Sequence, residues 1–185
     1  EKVALVGHTG AGKTTVINLL LRFHDVDHGR ITVDGVNVRD VAQADLRARI
    51  GLVQQDIFLF TGDIRSNIRL DQPIDDRAVE AAAERVGAHR FIQRLPQRYD
   101  HRLGERGASL SVGERQLLAF ARALAVRPAV LVLDEATASV DAESEEQVQA
   151  AIVELMRGRT CLVVAHRLST VQDADMILVL HHGQI

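Results

Sequence analysis

Five short runs of apolar residues limit how this chain can fold more than any other feature. They are continuous rather than alternating, and they occupy residues 3–6, 50–53, 130–133, 161–165 and 176–180. Runs of this kind are typical of strands buried on both faces, as in a parallel sheet covered by helices. Helical patterns lie between several of the runs, at residues 13–22, 114–125 and 144–157. The alternation predicts an α/β fold with a mainly parallel sheet flanked by helices.

One long segment interrupts the alternation of strands and helices. Residues 57–110 contain helical spacing of Ala and Val at 75–87, followed by a second short helical pattern at 89–94. We therefore expect a single domain in which a helical subdomain is inserted into the core that contains the sheet. The expected bounds are about 57–114 for the helical subdomain and about 1–56 and 115–185 for the core.

Composition and length exclude several classes of protein. The 185 residues are 46% apolar and 25% charged, which is ordinary for one globular domain. The net charge of −3 gives no basic surface, so we expect no nucleic-acid partner. We expect no signal peptide, and the longest purely apolar stretches are about five residues, against about 20 needed to span a bilayer. Any membrane role would therefore fall to another part of the polypeptide or to another subunit.

Three local features give smaller predictions. Asp34-Gly35 lies between two short β patterns, which predicts a hairpin turn and part of an antiparallel β subdomain. Cys161 is the only cysteine and lies in an apolar run, so we expect a buried strand thiol and no intrachain disulfide. The chain opens inside a strand and stops at a turn, 183–185, that enters another. We expect it to be a fragment of a larger domain, truncated at both ends.

A glycine-rich loop between the first strand and the first helix has the spacing G-x-x-x-x-G-K-[ST]. Its glycines allow backbone N–H groups to curl around phosphates, and the helix that begins near Lys13 points its positive end at them. Lys13 is expected to reach the β- and γ-phosphates of a nucleotide, and Thr14 to ligate Mg²⁺. The candidate nucleotide-binding residues here are Gly7, His8, Thr9, Gly10, Ala11, Gly12, Lys13, Thr14 and Thr15.

Two acids, Asp134 and Glu135, follow the apolar run at residues 130–133. A carboxylate at the end of a strand neighbouring that of the phosphate loop is placed to hold Mg²⁺, so Asp134 is a candidate metal ligand. Glu135 can polarise the attacking water as a general base. Alone, two acids after a strand would more simply be a solvated strand exit or a helix cap. The phosphate loop favours the catalytic interpretation.

Residues 110–114, Leu-Ser-Val-Gly-Glu, resemble the signature segment of ABC ATPases, usually written LSGGQ. Gln55 resembles the glutamine of that family's Q-loop, and residues 104–107 resemble the segment that precedes the signature in ABC exporters. Residues 138–141 resemble the D-loop, which makes Asp141 a nucleotide-binding candidate, and His166 resembles the switch histidine. These segments occur in family order from Glu1 to Ile185, so the set is highly specific.

The resemblance implies a P-loop NTPase core in which two such domains pair head to tail and hold two molecules of ATP, with Mg²⁺, between them. Ser111 and the Gly113 N–H would meet the γ-phosphate bound by the partner domain, at a helix N-terminus that favours an anion. Gln55 would contact both Mg²⁺ and the coupling elements of a transmembrane domain. His166 would contact the γ-phosphate of its own ATP, so that the catalytic set is Glu135, His166 and Gln55.

The function implied by the resemblance is ATP hydrolysis that powers an exporter, at the cytoplasmic face of the cell membrane. The domain would be fused to or associated with a transmembrane domain, and the exported compound is set elsewhere. One alternative is half of an asymmetric heterodimer with one weakly active site. Another is a soluble ABC ATPase that acts on nucleic acid or ribosomes. Such proteins tend to carry long insertions and basic surfaces, and the sequence has neither.

The signature departs from the family pattern at two positions, with Val112 for Gly and Glu114 for Gln. Ser111 and Glu114 have the spacing of a capping box, in which Glu replaces Gln without loss of capping. Glu114 would also bring a negative charge towards the partner's triphosphate. Two charges about 6 Å apart at an effective dielectric of about 20 repel by roughly 3 kcal/mol. A side chain turned back into its own cap would feel less, and the sequence leaves both outcomes open.

A few further residues have competing interpretations. Phe58 and Phe60 are either core residues or part of a docking groove for transmembrane loops. Ser144 is expected to cap the helix that runs to residue 157, as Asp141 also could. The family stacks adenine on an aromatic side chain upstream of the first strand, so we expect that residue to precede Glu1, and Tyr99 lies far from the loop in sequence. The histidines without metal-ligand spacing are His24, His28, His181 and His182.

Overall fold

The computed structural model describes residues 1–134, 142–165 and 171–185. The strands within these ranges are β1 (Lys2–Val6), β2 (Thr32–Val33), β3 (Val36–Asn37), β4 (Ile50–Val53), β5 (Gly62–Asp63), β6 (Arg102–Leu103), β7 (Val130–Asp134), β8 (Thr160–Val164) and β9 (Met176–Val179). The α-helices are α1 (Lys13–Leu20), α2 (Gln43–Arg49), α3 (Ile64–Arg69), α4 (Asp76–Arg85), α5 (Ala88–Ile92), α6 (Val112–Ala125) and α7 (Ala142–Met156). The described residues fall into two compact units, one within Glu1–Leu52, Pro128–Ala136 and Arg159–Ile185, the other within Val53–Arg127 and Thr137–Gly158.

A five-stranded sheet organises the first unit. Its strands lie in the order β4-β7-β8-β1-β9, and the pairs β1–β8, β1–β9 and β7–β8 are parallel. All five apolar runs of the sequence form these strands, which confirms the prediction of an α/β fold with a mainly parallel sheet. Leu131 and Val132 in β7 are fully buried, as expected for strands covered on both faces.

The last apolar run is less buried than its pattern predicts. Met176, Ile177 and Val179 in β9 are 47%, 48% and 59% exposed. Among the described strands, β9 lies at the edge of the sheet and pairs only with β1, which leaves its side chains more open to solvent. Cys161 in β8 is fully buried, as predicted, and burial raises the pKa of its thiol.

Local backbone conformation sets two further features of the first unit. Helix α1 ends at Leu20, two residues before the predicted end, and Arg22 has a φ of 52°. Strands β2 and β3 pair antiparallel through Asp34 and Gly35, whose φ values of 50° and 80° are both positive. A two-residue turn with two positive φ values matches the right-handed twist of a hairpin. The predicted hairpin is therefore confirmed.

The second unit is mainly helical. Helix α6 packs against α3, α4, α5 and α7, and β5 pairs antiparallel with β6. Its fully buried side chains include Leu59, Ile64, Ile68, Val79, Ile92, Leu103, Leu118 and Leu155. Helix α7 begins at Ala142, so Ser144 lies inside its first turn and the prediction that Ser144 is the N-cap is wrong. No helix in the described ranges is long and apolar enough to cross a membrane.

Candidate functional site

The glycine-rich loop connects the carboxyl end of β1 to the start of α1. Gly12 is the N-cap of α1 with a φ of 106°, a left-handed conformation that favours glycine. Gly7 is required for space, because a Cβ at this position would lie 2.3 Å from the Leu180 carbonyl oxygen. The loop is closed by a hydrogen bond from the Ala11 N–H to the His8 carbonyl oxygen at 3.0 Å. The two glycines therefore let the backbone turn tightly beneath the start of the helix.

Lys13 is a buried cation, and within the described part of the chain its hydrogen bonds go to main-chain oxygens. Its side chain is 8% exposed, and its Nζ donates to the Gly7 and His8 carbonyl oxygens at 2.7 and 3.0 Å. No carboxylate in the described ranges lies within ion-pair distance of it. An ammonium carries three donors, so one proton is left for a further acceptor. Because a buried charge without a counter-charge is costly, this site is suited to an anion.

The start of α1 adds main-chain donors to this charge. The first turn contains no acidic side chain, and Thr14 and Thr15 are exposed. Its first N–H groups have no acceptor within the helix, and the helix dipole favours negative charge here. His8, Thr9 and Gly10 of the loop are also exposed. The loop, the lysine and the helix start together form a site that fits the phosphates of a nucleotide.

Asp134 is the last residue of β7, at the same edge of the sheet as the phosphate loop. Strand β8 lies between β7 and β1, so the expectation that Asp134 follows the neighbouring strand is wrong; it follows the next strand but one. The carboxyl ends of parallel strands nevertheless meet at one edge, where α/β folds bind ligands. The Thr14 hydroxyl and the Asp134 carboxylate are hard oxygen donors of the kind that Mg²⁺ prefers. The candidate residues Glu135, Asp141 and His166 lie outside the described residues.

The turn that contains His181 and His182 lies against the phosphate loop. This contact was not predicted from the sequence. The Leu180 N–H donates to the Val6 carbonyl oxygen at 2.7 Å, and the Gly183 N–H to that of Ala11 at 3.0 Å. The centroid of the His181 ring lies 6.5 Å from that of the His8 ring and 4.3 Å from that of the His182 ring. The apolar run at residues 176–180 could have predicted this contact. It predicts a parallel strand, and the turn that follows such a strand lies at the same edge of the sheet as the phosphate loop. Within the described parts of the chain, no three or more His, Cys, Asp or Glu side chains form a metal site.

The signature segment caps α6 as predicted. Ser111 is the N-cap, and its Oγ accepts a hydrogen bond from the Glu114 N–H at 3.2 Å. The Glu114 Oε2 accepts one in return from the Ser111 N–H at 2.9 Å, which completes the capping box. The carboxylate is therefore turned back into its own helix cap. The Ser111 hydroxyl proton and the Gly113 N–H remain the donors that this helix start offers to a ligand.

A cavity of about 480 Å³ adjoins the signature within the second unit. Arg90 and Arg94 line it together with Ser111 and Glu114, and both arginines are exposed. The two arginines are four residues apart, so they share one face of α5 and its extension. The positive charge of these two arginines beside Glu114 could not be predicted from the sequence, because nothing in the spacing of residues 89–94 relates them to residue 114.

Gln55 and two aromatic residues occupy the segment after β4. Gln55 is exposed and belongs to the second unit. Phe58 and Phe60 are each 49% exposed, and their rings meet edge to face with centroids 4.9 Å apart. They line a cavity of about 520 Å³ with Thr61 and Glu105 among its other walls. Half-exposed rings exclude the core interpretation, and the docking groove for transmembrane loops stays a prediction.

Tyr99 lies outside every candidate site. It is 3% exposed, and its hydroxyl lies 2.8 Å from His89 Nδ1. Burial, with smaller contributions from Glu80 and Glu84, raises the pKa of Tyr99 to about 12. A buried phenol of this kind has no face available for stacking on a base.

Comparison with known proteins gives consistent matches. The model of the ABC transporter family matches residues 1–138. The chain is 50% identical over 183 residues to the uncharacterized ABC transporter ATP-binding protein YknV of Bacillus subtilis, covering 98% of this chain and 30% of that protein. It is 51% identical over 187 residues to the fatty acid ABC transporter ATP-binding/permease protein of Mycobacterium tuberculosis, covering 99% and 29%.

A solved structure agrees with these sequence matches. A bacterial Atm1-family ABC exporter with ATP bound has 44% sequence identity and a TM-score of 0.88, covering 98% of this chain and 32% of that one. At this identity the likeness extends to sequence as well as to fold. The chain spans about a third of the length of the relatives it matches.

Proposed function

Because the chain belongs to the ABC transporter family, we propose that it binds and hydrolyses ATP and so powers the export of a substrate across a membrane. The observation that carries the proposal is Lys13, a buried cation at a helix start whose hydrogen-bond partners among the described residues are carbonyl oxygens. A triphosphate would supply the missing negative charge and accept the third ammonium proton. The core is proposed to be about 1–56 and 115–185, with a helical subdomain at about 57–114.

Hydrolysis needs a water aligned with the γ-phosphate and a base for its proton. Glu135 would take that proton as the water oxygen attacks the γ-phosphorus, and the bond to the β-phosphate oxygen breaks with its electron pair left on ADP. Asp134, Thr14 and Gln55 would hold Mg²⁺, whose chemistry is to neutralise charge on the phosphate oxygens. His166 would donate a hydrogen bond to the γ-phosphate.

The signature would act on the nucleotide of a second, identical or related domain. Ser111 Oγ already accepts the Glu114 N–H, so its own proton is directed elsewhere and can be donated to a phosphate oxygen. The Gly113 N–H lies in the first turn of α6, where the helix supplies no acceptor. Asp141 would complete the contacts around the shared nucleotide. Binding of ATP would thereby hold two domains together.

We assign Phe58 and Phe60 to contact with the permease part of the transporter. Two half-exposed aromatic rings in edge-to-face contact are a feature of protein interfaces, where rigid aromatic side chains act as anchors. The M. tuberculosis relative is named as an ATP-binding/permease protein, and this chain covers 29% of its length. The permease portion is therefore the proposed occupant. The domain would work at the cytoplasmic face of the cell membrane.

An asymmetric heterodimer is the second candidate, and one observation favours it. Glu114 places a carboxylate where the family pattern has an amide, in the cavity beside Ser111. In a heterodimer this signature would serve only the partner's ATP site, so one of the two sites would be weakened. ATPase assays of the full-length protein, alone and with the product of its neighbouring gene, distinguish the two. Full activity alone supports the homodimer, and activity only in the mixture supports the heterodimer.

Lys13→Ala tests the nucleotide site. Removal of a charge-assisted hydrogen bond to phosphate should weaken binding of a fluorescent ATP analogue by about ten- to a hundredfold. Lys2→Ala is the matched control, since Lys2 is the only other lysine and lies at the opposite end of β1. Retention of wild-type affinity by the Lys13 variant would contradict the proposal.

Glu135→Gln tests the base and the pairing of domains together. An amide cannot accept the proton of water, so ATP should bind with near wild-type affinity while hydrolysis stops. ATP that is not hydrolysed would then hold two domains together, and size-exclusion chromatography with Mg-ATP should show a dimer. A monomer under these conditions would count against the base assignment or the pairing scheme.

A further inference from the structure

Arg122, near the end of α6, carries a guanidinium whose hydrogen-bond acceptors among the described residues are neutral oxygens. Its Nε donates to the Asn67 carbonyl oxygen at 2.9 Å, its Nη1 to the Phe58 carbonyl oxygen at 2.9 Å, and its Nη2 to Asn67 Oδ1 at 3.3 Å. Burial lowers the pKa of this guanidinium. No carboxylate in the described ranges forms an ion pair with it. A cation withdrawn from water without a counter-charge is costly, so stability alone does not account for it.

Asn67 in α3 is the other half of this arrangement, which we call the polar clamp (Asn67 and Arg122). Its side chain is 1% exposed. Its Oδ1 accepts from the Phe60 N–H at 2.8 Å, and its Nδ2 donates to the carbonyl oxygens of Phe60 and Asp63 at 2.9 and 3.0 Å. The amide uses both donors, and its oxygen serves two N–H groups. The clamp therefore fixes the main chain of Phe60 on both sides and the carbonyl of Phe58.

The polar clamp holds the main chain of an exposed surface, which is formed by Phe58 and Phe60. The rings of Phe58 and Phe60 are each 49% exposed, and the guanidinium of Arg122 lies 5.7 Å from the Phe60 ring centre. An exposed loop in a folded domain does not need three side-chain bonds to its backbone for solubility or core packing. Fixing it in advance removes the entropy that a docked partner would otherwise have to overcome.

The clamp also joins this surface to the signature, because Arg122 and Ser111 belong to the same helix. Ser111 caps the N-terminus of α6, and Arg122 lies eleven residues further on, about 16 Å along the axis. A helix of this length moves as a rigid body. If the N-terminus of α6 shifts on binding phosphate, Arg122 would therefore shift with it. Arg122 would in turn move the main chain of Phe58 and Phe60.

We propose that Asn67 and Arg122 are positioning residues that transmit movement of α6 to the docked permease, through the main chain of Phe58 and Phe60. The proposal rests on the proposed function, since it takes ATP at the signature as the input. It assigns to the clamp a role distinct from nucleotide binding, because neither side chain lies in a candidate nucleotide site. Loss of the clamp should leave ATP-driven pairing intact and separate it from the response of the permease.

The test uses the full-length transporter in lipid nanodiscs, in the Glu135→Gln background, with and without Mg-ATP. Hydrogen exchange is measured for residues 111–114, for residues 58–61 and for the permease portion. Arg122→Lys keeps the charge but loses the fork of donors, and Asn67→Ala removes the acceptor of the Phe60 N–H. In Asn67→Ala the amide of Phe60 should exchange at least tenfold faster without nucleotide, and in Arg122→Lys residues 58–61 should exchange faster than in the parent. Protection of residues 111–114 by ATP should persist, while the ATP-induced change in the permease falls at least fivefold.

Val79→Ala is the matched control, because Val79 is fully buried in the same unit and its truncation destabilises the fold without touching the clamp. It should leave the permease response within twofold of the parent. A response that falls equally in Val79→Ala and the clamp variants would overturn the proposal, as would an unchanged response in the clamp variants. Absence of any ATP-induced protection in the parent would overturn the proposed function itself, and the clamp's role with it.

Discussion

Glu114→Gln measures what a carboxylate at the signature costs the ATP-bound pair of domains. Glu114 Oε2 accepts a hydrogen bond from the Ser111 N–H, and the side-chain oxygen of a glutamine can accept the same bond. Capping is therefore kept, and the free energy of unfolding should change by less than about 0.5 kcal/mol. The change that remains is the loss of one negative charge beside the donors of Ser111 and Gly113.

The size of the effect follows from distance and screening. Because the carboxylate is turned into its own cap and half-buried, we take a separation of about 8 Å from the phosphate and an effective dielectric of about 40, which give a repulsion of about 1 kcal/mol. Arg90 and Arg94 line the same cavity and offset part of it. We therefore expect Glu114→Gln to tighten ATP-driven pairing by about 0.5–1 kcal/mol, or two- to fivefold.

The assay is sedimentation of the Glu135→Gln protein with Mg-ATP, with and without Glu114→Gln, at low and high salt. The gain in pairing should shrink at high salt, because charges at a partly exposed site are screened. If the protein works as a heterodimer, the measurement applies to the partner's ATP site. Equal pairing at low salt, or a gain that salt leaves unchanged, would refute the electrostatic explanation and leave Glu114 as a helix cap only.

One further prediction concerns the stability of the fold at alkaline pH. The pKa of Tyr99 is about 12 in the folded chain against about 10 unfolded, so the ionised form favours unfolding. Stability should fall as pH rises from 10 towards 12, by about 1.4 kcal/mol per pH unit, and denaturant titrations of Tyr99→Phe should lack this component.

Much of the fold could be predicted from the sequence, because the signals are local and unambiguous. Continuous apolar runs specify buried strands, and the spacing of glycines and Lys13 specifies a phosphate loop at the end of the first strand. Asp34-Gly35 specifies a turn with two positive φ values, and Ser111 with Glu114 specifies a capping box. In each case a few adjacent residues determine the backbone on their own.

Features that depend on distant residues could not be predicted in this way. Nothing local says that β8 lies between β1 and β7, and that order decides which carboxylate follows which strand. The Phe58 carbonyl oxygen accepts a hydrogen bond from a guanidinium in α6, more than sixty residues away along the chain. The start of α7 at Ala142 rather than Ser144 shows a limit of a different kind, since several residues before a helix can act as caps.

The effect of the two departures from the signature pattern depends on which atoms would contact phosphate rather than on the residue types alone. In the proposed function, phosphate recognition at the start of α6 would depend on main-chain N–H groups and on the hydroxyl of Ser111. Val112 adds bulk at the first helical position but keeps its N–H, and Gly113 is unchanged. Glu114 supplies the oxygen that the cap requires, so the geometry of the donors is preserved. Only charge and local bulk differ from the family pattern, and both alter affinity by a few-fold rather than removing the site, so we expect a working signature of reduced strength.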